Sequence, residues 1–402
     1  MQTGKYSMEE KMANKNVVDI SSSTQVVKLY NKKGRGKRIA CLVFSILFLL
    51  GGSGLLYYYS VLNSMHYVDI SENPDKSTKQ DSTLPSVDPL TGDGTQLSLT
   101  DGELLQDSKV LNVMLFGEDN RQEDDHGRTD TMIMLTIDNH HKKIKLTSFQ
   151  RDSYVYIPGH GYDKINASYT LGGAKLSIKT IESNFGIKID RYAVVDFESF
   201  TKIIDTLGGI DMELTADEIE YINYQMYKNG QVESRNTITD PPGMVHLDGM
   251  EALWYARNRG LQIGEDDNEI GIKGDDWDRT ARQRKLLTKM FNDMKSADIT
   301  KIVSIVSSVG PMITTNLKKD EITALVSHAT TYLQYEIEQY YIPEEGLWEY
   351  DDNTPVGSAI IITDLSAQRF AFAKYIYEDL IPGGTTPATD NETTSPYQGV
   401  EY

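Results

Sequence analysis

No Asp, Glu, Lys or Arg interrupts the chain from Ile39 to Leu62, and about 20 apolar residues are enough to cross a bilayer as a helix. The stretch is a transmembrane helix candidate, with Tyr57, Tyr58 and Tyr59 placed as an interfacial belt. A cleaved signal peptide is the competing reading. The long N-terminal region and the lack of a small-x-small site before the tyrosines favour an uncleaved anchor. The 38 residues ahead of it hold nine Lys and Arg against three Asp and Glu, a charge of +6, and end in Lys32-Lys33-Gly34-Arg35-Gly36-Lys37-Arg38. By the positive-inside rule that end is cytoplasmic and everything after Leu62 lies outside the cell membrane.

With −19 on the whole chain, +6 before the helix and none within it, the outer portion carries −25. Such a surface excludes non-specific binding of nucleic acid through its phosphates. The one cysteine, Cys41, falls inside the predicted helix. The outer portion therefore has no intrachain disulfide and depends on its apolar core. Ser, Thr, Asp, Pro and Gly dominate from His66 to about Ser108, and Gly383 to Tyr402 has the same character. Neither stretch buries enough apolar surface to fold alone. The expected organisation is a cytoplasmic basic segment (1–38), a transmembrane helix (39–62), an extracellular linker (63–108), a folded domain with a C-terminal extension (109–381) and a disordered tail (382–402). There is no internal repeat.

Inside that domain the stretch from Asn112 to Arg151 is the most informative. Its apolar runs Val113–Phe116, Met132–Ile137 and Ile144–Phe149 read as strands that open or close on charged turns. Asp119, Arg128, Asp130 and Arg151 sit at those ends. Strand ends of an open α/β sheet are where side chains from separate strands converge. Two carboxylates and two arginines there suit a metal ion and a polyanion; the plainer reading is a solvated surface ion-pair cluster.

Further on, Leu171-Gly172-Gly173 fits a close-packed loop before a helix over Ala174–Asn184. A strand (Arg191–Phe197), a helix (Glu198–Leu207), the Gly208-Gly209 turn and a strand (Ile210–Leu214) follow. This alternation is an α/β pattern. Met250–Tyr255 suits a short helix running into Arg257-x-Arg259, whose spacing on an extended chain puts both guanidiniums on one face. After an acidic loop from Gly260 to Gly274, a helix beginning near Asp278 carries the stripe Leu286, Leu287, Met290, Phe291 and Met294. It places Arg279, Arg282 and Gln283 on one face of its first turns. Its free N-terminal N–H groups would attract an anion, or Asp276 or Asp278 caps it and the arginines are solvated.

The ordered set Gly117-x-Asp119, Arg128-Thr129-Asp130-Thr131, Arg151-Asp152, Lys164-Ile165-Asn166, Gly172-Gly173, Asp205-x-Leu207-Gly208-Gly209-Ile210, Leu247-Asp248-Gly249, Ala256-Arg257-x-Arg259 and Asp276-x-x-Arg279-x-x-Arg282-Gln283 resembles the LytR-CpsA-Psr family. The likeness runs from about Lys109 to Met294 behind an anchor of matching orientation. It implies an α/β fold with a mixed central sheet flanked by helices, preceded by one transmembrane helix and held outside a Gram-positive membrane. It also implies a phosphotransferase that moves a teichoic acid or capsular glycopolymer from an undecaprenyl-diphosphate carrier onto peptidoglycan. The product is a phosphodiester on N-acetylmuramic acid.

By the same resemblance Asp119 and Asp130 hold Mg²⁺, or Mn²⁺ in its place, a hard cation that takes one or two carboxylates plus phosphate oxygens. Arg128, Arg151, Arg257, Arg259 and Arg279 clamp the diphosphate, and Gln283 adds a hydrogen bond. Asp119, Asp130, Arg128, Arg151, Arg257 and Arg259 form the expected catalytic set. Two departures stand out: Phe149-Gln150 replaces the family's Ile-Pro, and Asp276-Trp277-Asp278-Arg279 replaces Asp-Phe-Gly-Arg. A diphosphate hydrolase and a non-enzymatic polyprenyl-phosphate binder or envelope regulator are the alternative functions.

Overall fold

A computed structural model describes residues 58–70, 104–119, 128–234, 236–263, 269–272, 274–295 and 299–380, the side chains of 119, 128, 261–263, 269–272 and 299 excepted. The expected membrane span lies outside these residues up to position 57, as do the basic segment 1–38, linker residues 71–103 and the tail. Among the described residues no helix is long and apolar enough to cross a membrane.

The described part of helix α1 (58–64) leads into β1 (His66–Tyr67). The three apolar runs form β2 (Val110–Asp119), β3 (Arg128–Asp138) and β4 (Lys143–Phe149). A hairpin of β5 (Tyr154–Ile157) and β6 (Gly161–Lys164) precedes α2 (Ala167–Phe185), β7 (Arg191–Asp196) and α3 (Phe197–Leu207). Then come β8 (Ile210–Leu214), α4 (Ala216–Lys228), β9 (Gly243–Leu247) and α5 (Gly249–Arg257). The acidic stretch expected as a loop contains a small ribbon, β10 (Leu261–Ile263) and β11 (Glu269–Ile272), ahead of α6 (Asp276–Met294). The remainder is α7 (Ile299–Val309), β12 (Thr314–Thr315), α8 (Lys319–Tyr332), β13 (Glu336–Ile342), β14 (Trp348–Thr354), β15 (Gly357–Ile362) and α9 (Leu365–Tyr377).

The main sheet has the order β1-β12-β7-β2-β3-β4-β13. It is mixed: β7 runs parallel to β2 and β13 parallel to β4, while β3 is antiparallel to both its neighbours. Period-2 alternation sorts β2 between two cores. Met114 and Phe116 join the cluster under α2 and α9, whereas Leu111 and Val113 pack with Tyr332 of α8. Because both faces are covered, β4 is buried at every position after its first, which is why it reads as a nearly unbroken buried run. A separate core joins α3, β8, α4, β9, α5 and α6. In α2 the predicted double-glycine break is a kink, with Gly173 at φ +61, a backbone conformation that an L side chain adopts only at a cost.

Two pieces of the expected linker take part in this fold. β1 pairs in parallel with β12, and Leu105 is buried and hydrogen-bonded on both sides, to the carbonyl of Gly186 and from the N–H of Lys188. Leu105 supplies an apolar side chain from a stretch dominated by polar residues.

At the edge of the sheet far from the strand ends of interest, His141 ties the β3–β4 turn to the chain after α9. Its Nδ1 lies 2.7 Å from Asp138 Oδ2 and its Nε2 2.8 Å from Asp379 Oδ1. Burial opposes the charged ring, but Asp138, Asp379 and Glu378 outweigh it and raise the pKa. A raised pKa stabilises the fold fully below the unfolded value of about 6.5 and loses that contribution as pH rises through the folded value. The gap in melting temperature between the wild type and His141→Gln is therefore expected to be widest in mild acid and to close as pH climbs past neutrality. A gap that stays constant over that range would show that ring charge contributes nothing.

Candidate functional site

The C-terminal ends of β2, β4 and β7 and the N-terminal end of β3 lie on one side of the sheet. The β2–β3 register slips there: Gly117 pairs with Thr131, Glu118 with Thr129 and Asp119 with Arg128, leaving Asp130 as the extra residue of a bulge. A bulge re-aims the side chain it carries. Thr129, fully buried, braces it with a hydroxyl 3.0 Å from the Gly117 carbonyl and 2.9 Å from the Thr131 carbonyl. Gly117 is required for this approach, since a Cβ there would meet Thr131 Cβ at 2.8 Å.

Three guanidiniums converge on the re-aimed carboxylate. Arg151, just past β4, places Nη1 2.6 Å from Asp130 Oδ1. Arg279, in the first turn of α6, donates to Asp130 Oδ2 at 3.1 Å and to the Asp130 carbonyl at 3.0 Å. Arg259, beyond α5, brings Nη2 to 3.4 Å from Oδ2. Asp276 forms a second negative pole: its Oδ1 lies 2.6 Å from Arg279 Nη2, 3.1 Å from Arg151 Nε and 3.8 Å from Arg259 Nε. Lys164 and Asp152 pair at 3.0 Å beside it. Three arginines against Asp130 and Asp276 leave one positive charge in excess.

The two carboxylates differ in character. Burial pushes the Asp130 carboxyl up, but Arg279, Arg151 and Arg259 outweigh it and hold it below the ordinary range. For Asp276, buried more deeply, desolvation wins over the same arginines and its pKa is raised. Burial also lowers the pKa of Arg279, against the pull of Asp276 and Asp130. Its side chain is 3% exposed against 40% for Asp130, so Arg279 is held from beneath while Asp130 faces the opening.

Sequence reasoning missed Asp276 as a site residue by reading it as a possible helix cap. Asp275 is the cap: its Oδ1 accepts from the N–H groups of Trp277 and Asp278, and the Asp278 side chain closes the box. The expected anion site on free N–H groups of α6 is thereby corrected, because Asp275 already takes two of them. What remained legible was the three-residue spacing of Asp276 and Arg279, which pairs them on one face of the helix.

Gln150 supports the site from below. Its backbone N–H donates to the Ile342 carbonyl at 2.9 Å, a bond the family's usual proline could not make. Its side-chain amide reaches Thr280 Oγ1 at 3.0 Å, tying the end of β4 to the first turn of α6. Arg151 and Arg279 are thus fixed to each other by a buried link between neighbouring residues.

Other predicted residues take different places. Arg257 ends α5, with its guanidinium 4.3 Å from the Phe197 ring centroid and 5.1 Å from that of Trp254. The chain becomes extended only at Asn258, so the one-face spacing expected for Arg257 and Arg259 does not apply. Gln283 is buried and points its amide at the Ala256 carbonyl, 3.4 Å away. Arg282 binds Glu218 and the Asn258 carbonyl, which makes it a tether between α6, α4 and the end of α5. Asp119 and Arg128 are described through their backbone pairing alone, directly opposite each other across the ladder.

The LytR_cpsA_psr family model matches residues 57–366. The polyisoprenyl-teichoic acid–peptidoglycan teichoic acid transferase TagU of Oceanobacillus iheyensis is 31% identical over 259 residues, 62% of this chain and 73% of that protein. TagU of Halalkalibacterium halodurans is 29% identical over 316 residues, 77% and 88% of the two chains. Among solved structures, Bacillus subtilis TagV superposes with a TM-score of 0.51 at 26% identity, covering 66% of this chain and 97% of its own. TagT bound to LIIa-WTA gives 0.52 at 23%, covering 67% and 91%, a likeness of fold alone.

Proposed function

The chain belongs to the LytR-CpsA-Psr family, and from that premise we propose that it is a phosphotransferase that moves a teichoic-acid-type glycopolymer from a polyprenyl-diphosphate carrier to peptidoglycan. The observation that carries this reading at the level of the site is the convergence of Arg151, Arg259 and Arg279 on Asp130 at the strand ends. Planar guanidiniums offer paired donors to phosphate oxygens, and a diphosphate entering beside Asp130 would draw on the same donors. The relatives named as polyisoprenyl-teichoic acid–peptidoglycan teichoic acid transferases support the substrate class.

In the reaction a sugar hydroxyl of the acceptor attacks the phosphorus that bears the glycopolymer. The bond from that phosphorus to the bridging oxygen breaks, polyprenyl monophosphate leaves, and the hydroxyl proton is released. Transfer of this kind is accelerated mainly by positioning and charge stabilisation. Arg279, already buried and fixed by three oxygen contacts to Asp130 and Asp276, would stabilise the leaving phosphate with little reorganisation. Arg151 and Arg259, more exposed, would exchange their carboxylate contacts for phosphate oxygens.

A divalent cation fits this donor set chemically: Asp130 presents a partly exposed carboxylate of lowered pKa, and Asp119 ends β2 opposite Arg128, two residues before Asp130. Mg²⁺ or Mn²⁺, held by Asp119 and Asp130, would neutralise diphosphate oxygens when bound. The uncharged stretch Ile39–Leu62 behind a basic segment supports a single-pass anchor, which would confine the site to the membrane surface where a lipid-linked donor resides.

The test uses the full chain in detergent, a lipid-diphosphate oligosaccharide labelled in its sugar, and uncrosslinked glycan strands with Mg²⁺. Label is expected to move onto the strands, with transfer falling sharply on chelation. Release of labelled sugar phosphate into water at the same rate with or without strands would replace the transferase by a diphosphate hydrolase.

A further inference from the structure

Beside the arginines stands an aromatic group that the chemistry above does not use. Trp277, next to Asp276, stacks on Trp348 with centroids 4.8 Å apart and meets Tyr341 edge-on at 5.4 Å. Trp348 in turn meets the edge of Tyr350 at 5.1 Å. Trp348 and Tyr350 are two apart on β14 and so share a face of the β14–β15 hairpin. That hairpin is fastened to the site: the Ile360 N–H donates to the Asp152 carbonyl at 2.9 Å, and Ile360 is the register partner of Tyr350. From the other side Trp277 Nε1 donates to Tyr350 Oη at 3.1 Å, a bond that the family's phenylalanine at this position could not make.

The cluster is half-buried at its base and open at its tip, where Tyr350 is 52% exposed. Burial, aided by the carboxylates of Asp275, Asp152 and Asp276, raises the pKa of the tyrosine hydroxyl against the bond from Trp277. Glu349 and Asp352 are exposed on the same strand. An open aromatic ring amid hydrogen-bond acceptors suits a ligand with an apolar face and many hydroxyl donors. The exposed carboxylates of Asp275, Glu349 and Asp352 disfavour a phosphate-rich polymer at this spot.

We propose that the Tyr350 ring, buttressed by Trp348 and held by Trp277, is the platform on which an uncharged pyranose of the acceptor glycan stacks, at the rim of the arginine site. The assignment of this sugar to the acceptor rests on the transferase reading; the stacking itself does not. Trp277 acts as a positioning residue for Tyr350, and the acidic surround orients hydroxyl groups while turning away the donor's phosphates.

The measurement is binding of a neutral N-acetylglucosamine oligomer to the full chain in detergent, read by tryptophan fluorescence and by calorimetry, followed by KM values for glycan strands and for lipid-linked donor. Tyr350→Ala is expected to weaken oligomer binding and raise the strand KM by about tenfold, the worth of one aromatic contact, while the donor KM holds. Tyr350→Phe, which keeps the ring and loses only the bond from Trp277, and Trp277→Phe, which loses the same bond, should both fall between Tyr350→Ala and the wild type. Unchanged oligomer affinity in Tyr350→Ala, an equal loss in Tyr350→Phe, or a loss confined to the donor KM would each overturn the platform. Because oligomer binding is read without turnover, a chain that binds through Tyr350 yet transfers nothing would defeat the transferase reading and leave the platform standing.

Discussion

Arg279→Ala is expected to cut glycopolymer transfer by about 10³-fold or more, the range seen when a phosphate-clamping arginine is removed from a phosphoryl-transfer site. The size follows from its position. Arg279 alone among the three arginines is almost wholly buried, and it bridges the Asp130 side chain, the Asp130 carbonyl and Asp276. Its removal would leave Asp276, whose pKa is already raised by burial, without the largest of the charges holding it down. Arg279→Lys should recover little of the loss, since one ammonium cannot reproduce a planar fork that meets three oxygens.

Asp130→Ala makes the informative contrast. It removes the carboxylate but leaves Arg151, Arg259 and Arg279 facing the opening, so a lipid diphosphate should still bind while transfer is lost. Steady-state kcat and KM for both variants, with melting curves to show that each is folded, check this pair of expectations. Transfer by Arg279→Ala within tenfold of the wild type would remove that residue from the clamp.

The second large effect concerns stability. Arg191, at the start of β7, donates Nε to Glu321 Oε2 at 2.7 Å and Nη2 to Glu321 Oε1, with both side chains 5% exposed. Glu321 also accepts from the Lys318 N–H at the start of α8. Removing one partner of a buried pair leaves the other charged and unsolvated, which costs about 3–5 kcal/mol. Glu321→Ala should therefore lower the melting temperature by roughly 10 °C in a domain of this size. Replacing both residues by apolar ones of similar volume should return most of that loss. The pair lies at the end of β7 away from Asp130, so transfer per folded molecule should be unaffected; a melting temperature within a degree or two of the wild type would show that the pair contributes little.

The positions of β2, β3 and β4 were legible because each is an apolar run bounded by charge, and the strand-end site followed from them. The bulge at Asp130 was not, because register depends on the partner strand and a one-residue slip leaves no mark in composition. α4 escaped notice although Thr215 and Glu218 form a readable capping box and Ile219, Ile222 and Met226 fall at helical spacing, since Tyr221, Asn223 and Tyr224 are buried between them. β14 was hidden by Glu349, Asp351 and Asp352, residues that are uncommon in strands. Asp275 and Asp276 differ by one position between capping a helix and holding three arginines, a distinction that only side-chain direction decides.

The two-residue pairing of β1 with β12 has a mechanical consequence. A pull on the chain ahead of residue 58 would meet the buried Val61 and Leu62 of α1, then this short ladder and the bond from the Val68 N–H to the Thr315 carbonyl. The β2–β3 ladder, paired over ten positions, begins two strands further in. Under load the outermost pairing would yield first and absorb the extension, so that tension reaching the domain through residues 58–70 is spent before it can alter the spacing of Asp130 and its arginines.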